Sequence, residues 1–331
     1  MYNINTLLYL VEDDIQHINA TMVKDISMLE QRFESRLIEI LRYGLLEGGK
    51  RFRPLLAVLA SRLCGGCSTP QIYQLAIAFE YLHVATLFHD DVIDQAQNRR
   101  GKASVHAAYG LEAAILAGDF LHARSMEIIG TLGGTACLEV FCQATAALVD
   151  GEFLQLRNAR NYNQSEREYY TTIEGKTAQL ISAATEIGAI HSGAGKSRRK
   201  AMVGYGRNLG FAFQIVDDLL DYLGDEYETG KTVGNDLAEG KMTLPLILSL
   251  NSAEQQEQQK LRKILQDGDV RRHSFATVFE LITKYDGFND ARKQAENCIG
   301  DALAQLKIFD DNNKDVEALK GLAQYALHRK K

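Results

Sequence analysis

The stretch TPQIYQLAIAFEYLHVATLFHDDVID, residues 69–94, opens like a helix, keeps helical periodicity and ends in aspartates. Thr69 followed by Pro70 is a capping hydroxyl before a proline at the first helical position, where no N–H is needed. Ile72, Leu75, Phe79, Leu82 and Thr86 then recur along one stripe, the spacing of an amphipathic helix over about Gln71 to Asp94. Working outward, similar patterns predict helices over about 25–46, Pro54 to Leu63, 111–131, 135–157, 165–190, 197–223 and 242–250, with shorter ones from about Gln255 to Ala326. No stretch sustains the period-2 alternation of a strand. The chain has 331 residues but only 3 prolines, few helix breakers for this length. The expected fold is all-α, a single domain over 1–331, built as a bundle of roughly ten or more helices.

The aspartates that end this stretch recur. Asp90-Asp91-Val92-Ile93-Asp94 and Asp217-Asp218-Leu219-Leu220-Asp221 share the spacing D-D-x-x-D, and each follows a strongly apolar run. Desolvating a carboxylate costs several kcal/mol or more unless something positive compensates. On a helix, positions i and i+4 share a face. Asp90 is therefore expected to point with Asp94, and Asp217 with Asp221, with Asp91 and Asp218 beside them. Divalent metal suits such clusters, and magnesium prefers oxygen ligands shared with phosphate-bearing substrates. The alternative, two solvated acidic helix ends, does not call for the repetition.

Basic residues stand near glycines around both motifs: Lys50, Arg51 and Arg53 in GGKRFRP, Arg99, Arg100 and Lys102 after the first cluster, Lys176, and Lys231 and Lys241 after the second. Arginine offers a fork of donors to phosphate and lysine a mobile charge. This suggests two diphosphate sites.

Bulk properties exclude other classes. The net charge is −6, which disfavours general nucleic-acid binding. Glu12, Asp13 and Asp14 precede any long apolar run, so no secretory signal is expected, and no uncharged stretch approaches the ~18 residues of a membrane span. Five cysteines, an odd number, fit a reducing cytoplasm. Cys64-Gly-Gly-Cys67 reads as a loop between helices, lacking a second pair to complete a zinc site. The basic end His328-Arg329-Lys330-Lys331 reads as solvated.

The segments GGKRFRP (48–54), HDDVIDQAQNRRGK (89–102), GKTAQL (175–180), FQIVDDLLDYLGD (213–225) and GKTVGNDLAEGKMTLPLI (230–247) together resemble the trans-isoprenyl diphosphate synthases, the polyprenyl synthetase family, in order and over essentially the whole chain. That resemblance implies an all-helical bundle around a deep cavity, usually a homodimer. It also implies head-to-tail joining of isopentenyl diphosphate to an allylic diphosphate, with magnesium, three ions per site. Asp90, Asp94 and Asp217 would bind metal, with Asp91, Asp218 and Asp221 supporting them. Arg99, Lys176 and Lys231 would hold the allylic diphosphate, and Lys50, Arg53, His83 and Arg100 the isopentenyl diphosphate. Thr177, Gln214 and Lys241 would lie beside the developing carbocation or its leaving group.

The helix before the first motif is expected to line the product cavity. At 1.5 Å per residue, Ala85 and Thr86 lie roughly 6–8 Å below Asp90. Both are small, which resembles the long-chain branch of the family. Leu82, Phe79 or Phe141 would then form a deeper floor. The expected product lies in the hexaprenyl-to-decaprenyl range, with octaprenyl favoured. The competing expectations are a farnesyl or geranylgeranyl diphosphate synthase and a non-catalytic partner subunit.

Overall fold

A computed structural model describes residues 4–46, 48–99, 101–224 and 233–329. Its helices, in chain order, are α1 (Ile4–Leu29), α2 (Ser35–Leu45), α3 (Phe52–Leu63), α4 (Pro70–Ile93), α5 (Val105–Tyr109), α6 (Leu111–Asn161), α7 (Glu166–Ile173), α8 (Gln179–His191) and α9 (Lys196–Leu223). Then follow α10 (Asn235–Glu239), α11 (Leu244–Ser252), α12 (Gln255–Gln266), α13 (Gly268–His273), α14 (Phe275–Lys284), α15 (Gly287–Gln305) and α16 (Lys314–His328). The only sheet among the described residues is a hairpin of two-residue strands, with Asn98 opposite Ala103 and Arg99 opposite Lys102. The all-α expectation holds.

The chain divides into two compact units: Met1–Gln143 with Ala183–Val203 and Ile308–Gly321, and Ala144–Ser182 with Gly204–Lys307 and Leu322–Lys331.

In the first unit, α4 packs against α1 and α3. Thr69 caps it by accepting from the Ile72 N–H at 3.4 Å, with Pro70 at its first turn. The sequence suggests a single buried stripe. Instead Tyr73, Ile77, Tyr81 and Val84 are buried as well as Ile72, Leu75, Phe79 and Leu82, so α4 is a central helix covered on every side. Each such aliphatic side chain contributes about 1.5–3 kcal/mol on burial. The expected helix over 25–46 is two helices. The chain leaves α1 at Leu29, and the Glu34 carboxylate then caps α2 by accepting from the Leu37 N–H at 3.1 Å.

A buried ion pair fixes how GGKRFRP meets this core. Arg51 adopts a left-handed φ of 51°, which turns its side chain inward. It donates to Glu80 at 2.8 Å, Asn19 Oδ1 at 2.8 Å and the Leu45 carbonyl at 2.9 Å. With every partner satisfied, the pair tolerates its burial.

In the second unit, Leu244, Leu246, Ile247 and Leu250 of α11 are buried, and α15 packs on this helix through Ala291, Ala295, Ile299 and Ala302. Tyr222 packs beside Phe275 and Phe288.

Candidate active site

Each acidic motif stands at the carboxy-terminal end of a helix, the first on α4 and the second on α9. The last turn of neither helix carries a basic residue. The carbonyl end of a helix favours cations and repels carboxylates. Six aspartates at two such ends therefore make sense only with cations supplied from elsewhere.

In the first centre, Asp90 is half-buried, Asp91 buried and Asp94 exposed. Asp94 terminates α4, its N–H donating to the Asp90 carbonyl at 2.8 Å. Asp91 accepts from the Arg99 guanidinium at 2.6 Å. The hairpin carrying Arg99 thus folds back onto the motif. His89 packs on α6, its Nε2 lying 3.2 Å from the Ile115 carbonyl and 3.5 Å from Asp119. Gly118 leaves room for that ring, since a Cβ there would fall 2.3 Å from it. His83 lies half-buried two turns before Asp90, and Lys50 and Arg53 flank the inward-turned Arg51 as exposed and half-buried cations. Arg100 lies outside the described residues.

The suggested floor of the cavity belongs to this unit too. Ala85 and Leu82 are buried, and Thr86 donates to the His83 carbonyl at 2.8 Å. Phe79 and Phe141 are fully buried and meet edge to face, their ring centroids 5.5 Å apart.

The second centre is built differently. Asp218 is buried and accepts from the Tyr169 hydroxyl at 2.7 Å, Gln214 Nε2 at 3.1 Å and the Leu244 N–H at 3.3 Å. Thr177 donates to Gln214 Oε1 at 2.8 Å. A chain of hydrogen bonds, Thr177 to Gln214 to Asp218, thus joins three predicted residues. Asp221 accepts from the Asp236 N–H at 3.1 Å, and Lys241 reaches Asp236 at 3.2 Å and Glu239 at 2.6 Å. Burial, reinforced by the Asp236 carboxylate, pushes the Asp218 and Asp221 carboxyls up to about 7. Lys231 lies outside the described residues.

Lys176 and Thr177 stand on an irregularity. The expected helix over 165–190 is interrupted by one π-helical turn, Glu174–Ala178, the kind of insertion that re-aims side chains at functional positions. It rests on glycine. A Cβ at Gly151 would lie 2.4 Å from the Lys176 nitrogen, and one at Gly175 would lie 2.6 Å from the Ala147 carbonyl. Lys176 pairs with Glu152 at 2.6 Å.

Sequence reasoning passes over Glu152, Asp236 and Tyr169, each of which touches a predicted residue. It misplaces Arg329. Rather than lying in solvent, this side chain is 7% exposed and pairs with Asp217 at 3.0 Å. A lone arginine near a chain end carries no local signal for such a contact. Cys64 and Cys67 are free thiols in the loop between α3 and α4.

The donor chemistry fits magnesium: the candidate ligands are carboxylate oxygens, with no thiolate or imidazole among them. Among the described residues no group of three such side chains is placed to hold an ion alone. Substrate oxygens and water would complete its shell, as is usual for magnesium.

A family model, polyprenyl synthetase, matches residues 34–282. The chain is 37% identical to octaprenyl diphosphate synthase of Escherichia coli strain K12 over 328 residues, 99% of each chain. It is 36% identical to geranylgeranyl diphosphate synthase of Sulfolobus acidocaldarius over 306 residues, 89% of this chain and 92% of that one. A solved polyprenyl synthase from Caulobacter crescentus, complexed with calcium and isoprenyl diphosphate, superposes with a TM-score of 0.91 at 34% identity, covering 99% of this chain and 98% of that one.

Proposed function

This chain belongs to the polyprenyl synthetase family, and we propose that it is a trans-polyprenyl diphosphate synthase joining isopentenyl diphosphate to an allylic diphosphate to give a long-chain, octaprenyl-like product. The whole chain, 1–331, would act as one polyprenyl synthetase domain. The observation that carries the reading is the repeated D-D-x-x-D at two helix ends that otherwise reject anions.

The reaction breaks an allylic carbon–oxygen bond, which sends an electron pair onto the departing diphosphate. The alkene of isopentenyl diphosphate attacks the resulting cation, and loss of one proton restores a double bond. Asp90, Asp94 and Asp217 would hold magnesium, three ions per site, with Asp91, Asp218 and Asp221 in support. Bound magnesium would neutralise charge on the leaving diphosphate. Arg99, Lys176 and Lys231 would hold the allylic diphosphate, and Lys50, Arg53, His83 and Arg100 the isopentenyl one. The fork of Arg99 matches two phosphate oxygens. Because Thr177 and Asp218 fix both ends of the Gln214 amide, its dipole is set before substrate arrives, as stabilisation of a developing charge requires. Lys241, held by Asp236, would sit beside the leaving group.

Small Ala85 and Thr86 let the tail pass, and the Phe79–Phe141 pair would close the shaft. A homodimer in the cytoplasm completes the reading. Exposed apolar side chains support the dimer: Leu111 and Leu116, before the break in helical backbone at Gly134, are 50% and 65% exposed, and Phe153, after it, is 70% exposed.

Incubation with farnesyl and isopentenyl diphosphates, with and without magnesium, followed by mass spectrometry of the products, tests this. Octaprenyl diphosphate only with magnesium is expected. Products ending at geranylgeranyl diphosphate would favour the short-chain reading that the Sulfolobus relative represents. No turnover without a second protein would favour a partner subunit.

A further inference from the structure

Arg329 follows the last turns of α16, which Leu322, Ala323, Ala326 and Leu327 anchor as buried side chains. Its guanidinium lies over the Phe213 ring, 3.7 Å from the centroid. Nη2 donates to the Phe213 carbonyl at 2.8 Å and to Asp217 Oδ1 at 3.0 Å. The side chain is 7% exposed, whereas Asp217 is 48% exposed. Its Nε is buried without a hydrogen-bond partner among the described residues.

A guanidinium does not shed its proton in a protein, so this charge is permanent. The ring and carbonyl of Phe213 offer partial charges, and the contacts of the guanidinium include one formal counter-charge, Asp217. Such burial is tolerable only while that carboxylate remains available.

We propose that Arg329 is the resident counter-ion of Asp217, and that a divalent cation binds this carboxylate in competition with it, unseating the carboxy-terminal segment. The inference rests on the reading of Asp217 as a metal ligand. A metal ion drawing on Asp217 both removes the counter-charge of the guanidinium and repels it. By linkage the effect is reciprocal: a seated arginine weakens metal binding as much as metal weakens the seat. Arg329 is thus a positioning residue that sets how much metal loads the second centre.

Two measurements that need no turnover test this on the full-length protein. Manganese binding, followed by the spin-resonance signal of the free ion, compares wild type with Arg329→Gln. Loss of the competitor is expected to lower the half-saturating concentration about fivefold or more, and Arg329→Lys should fall between. Hydrogen exchange of residues 322–329 is followed with and without manganese. The segment should exchange faster with metal in wild type. In Asp217→Asn it should exchange fast from the start and ignore metal. Manganese binding to Arg329→Gln no tighter than to wild type overturns the proposal, as does wild-type exchange that metal leaves unchanged. If Arg329→Gln does not fold, the wild-type exchange decides. Absence of prenyl transfer with the metal-linked exchange intact would count against the proposed function and leave the latch standing.

Discussion

The two acidic centres share one five-residue pattern and solve its central problem in opposite ways. Each buries its second aspartate. In the first centre Asp91 faces a full positive charge, the guanidinium of Arg99. In the second, Asp218 is met by neutral donors: a tyrosine hydroxyl, an amide and a backbone N–H. The remaining aspartates differ as well. Asp94 is exposed at the end of its helix, while Asp221 is half-buried and anchors the start of α10. A motif thus specifies which oxygens are presented, and the residues packed behind it specify their charge. The buried aspartate of the first centre has a formal counter-charge before metal arrives. That of the second does not, and it is there that carboxyls are pushed up to about 7.

The largest effect should erase the contrast. Asp90→Ala and Asp217→Ala are each expected to lower kcat by roughly 10³-fold, the scale of losing a charge-stabilising group, in steady-state assays with saturating magnesium. A loss confined to one variant would break the equivalence of the two motifs. Next, the helix leading to the first centre is expected to gauge the product. Ala85→Phe should shift the product towards farnesyl and geranylgeranyl diphosphates, read by mass spectrometry; an unchanged distribution removes α4 from the shaft.

A smaller effect separates the second aspartates. Asp91→Ala leaves the half-buried Arg99 without its carboxylate and should destabilise the fold by about 1–3 kcal/mol, measured by urea unfolding. A further expected effect concerns pH. Folding raises the Asp221 carboxyl from 3.8 to about 7, so the native state binds the proton more tightly. Its contribution is fully present below about pH 4 and is lost as pH rises through 7. In chelator, Asp221→Asn, which keeps an acceptor for the Asp236 N–H, should therefore melt a few degrees above wild type at pH 8 and level with it at pH 4. Equal melting at both would show that the charge is compensated without metal.

What could be read from the sequence follows the range of the forces involved. Residues 69–94 announce α4 nearly to the residue, because its cap, its proline and its periodicity are all local. The same holds for α9, expected over 197–223 and found over Lys196–Leu223. Local reading fails where a partner comes from far along the chain. Arg51 looks like Lys50 and Arg53 until Glu80 draws it inside. Arg329 looks like a solvated end until Asp217 meets it. The break between α1 and α2 escapes because apolar spacing continues across it, while the cap that restarts the helix is a glutamate, a less usual choice. The π turn at Glu174–Ala178 escapes because it follows from a backbone crossing at Gly151 that helical periodicity does not encode.

That crossing has a consequence for anyone redesigning this protein. Lys176 owes its aim to two strands of main chain touching where a single methyl group will not fit. Transplanting GKTAQL into another helical scaffold would carry the lysine without its bearing. Libraries that randomise 151 or 175 will be depleted by steric exclusion long before chemistry is sampled, so diversity is better spent elsewhere.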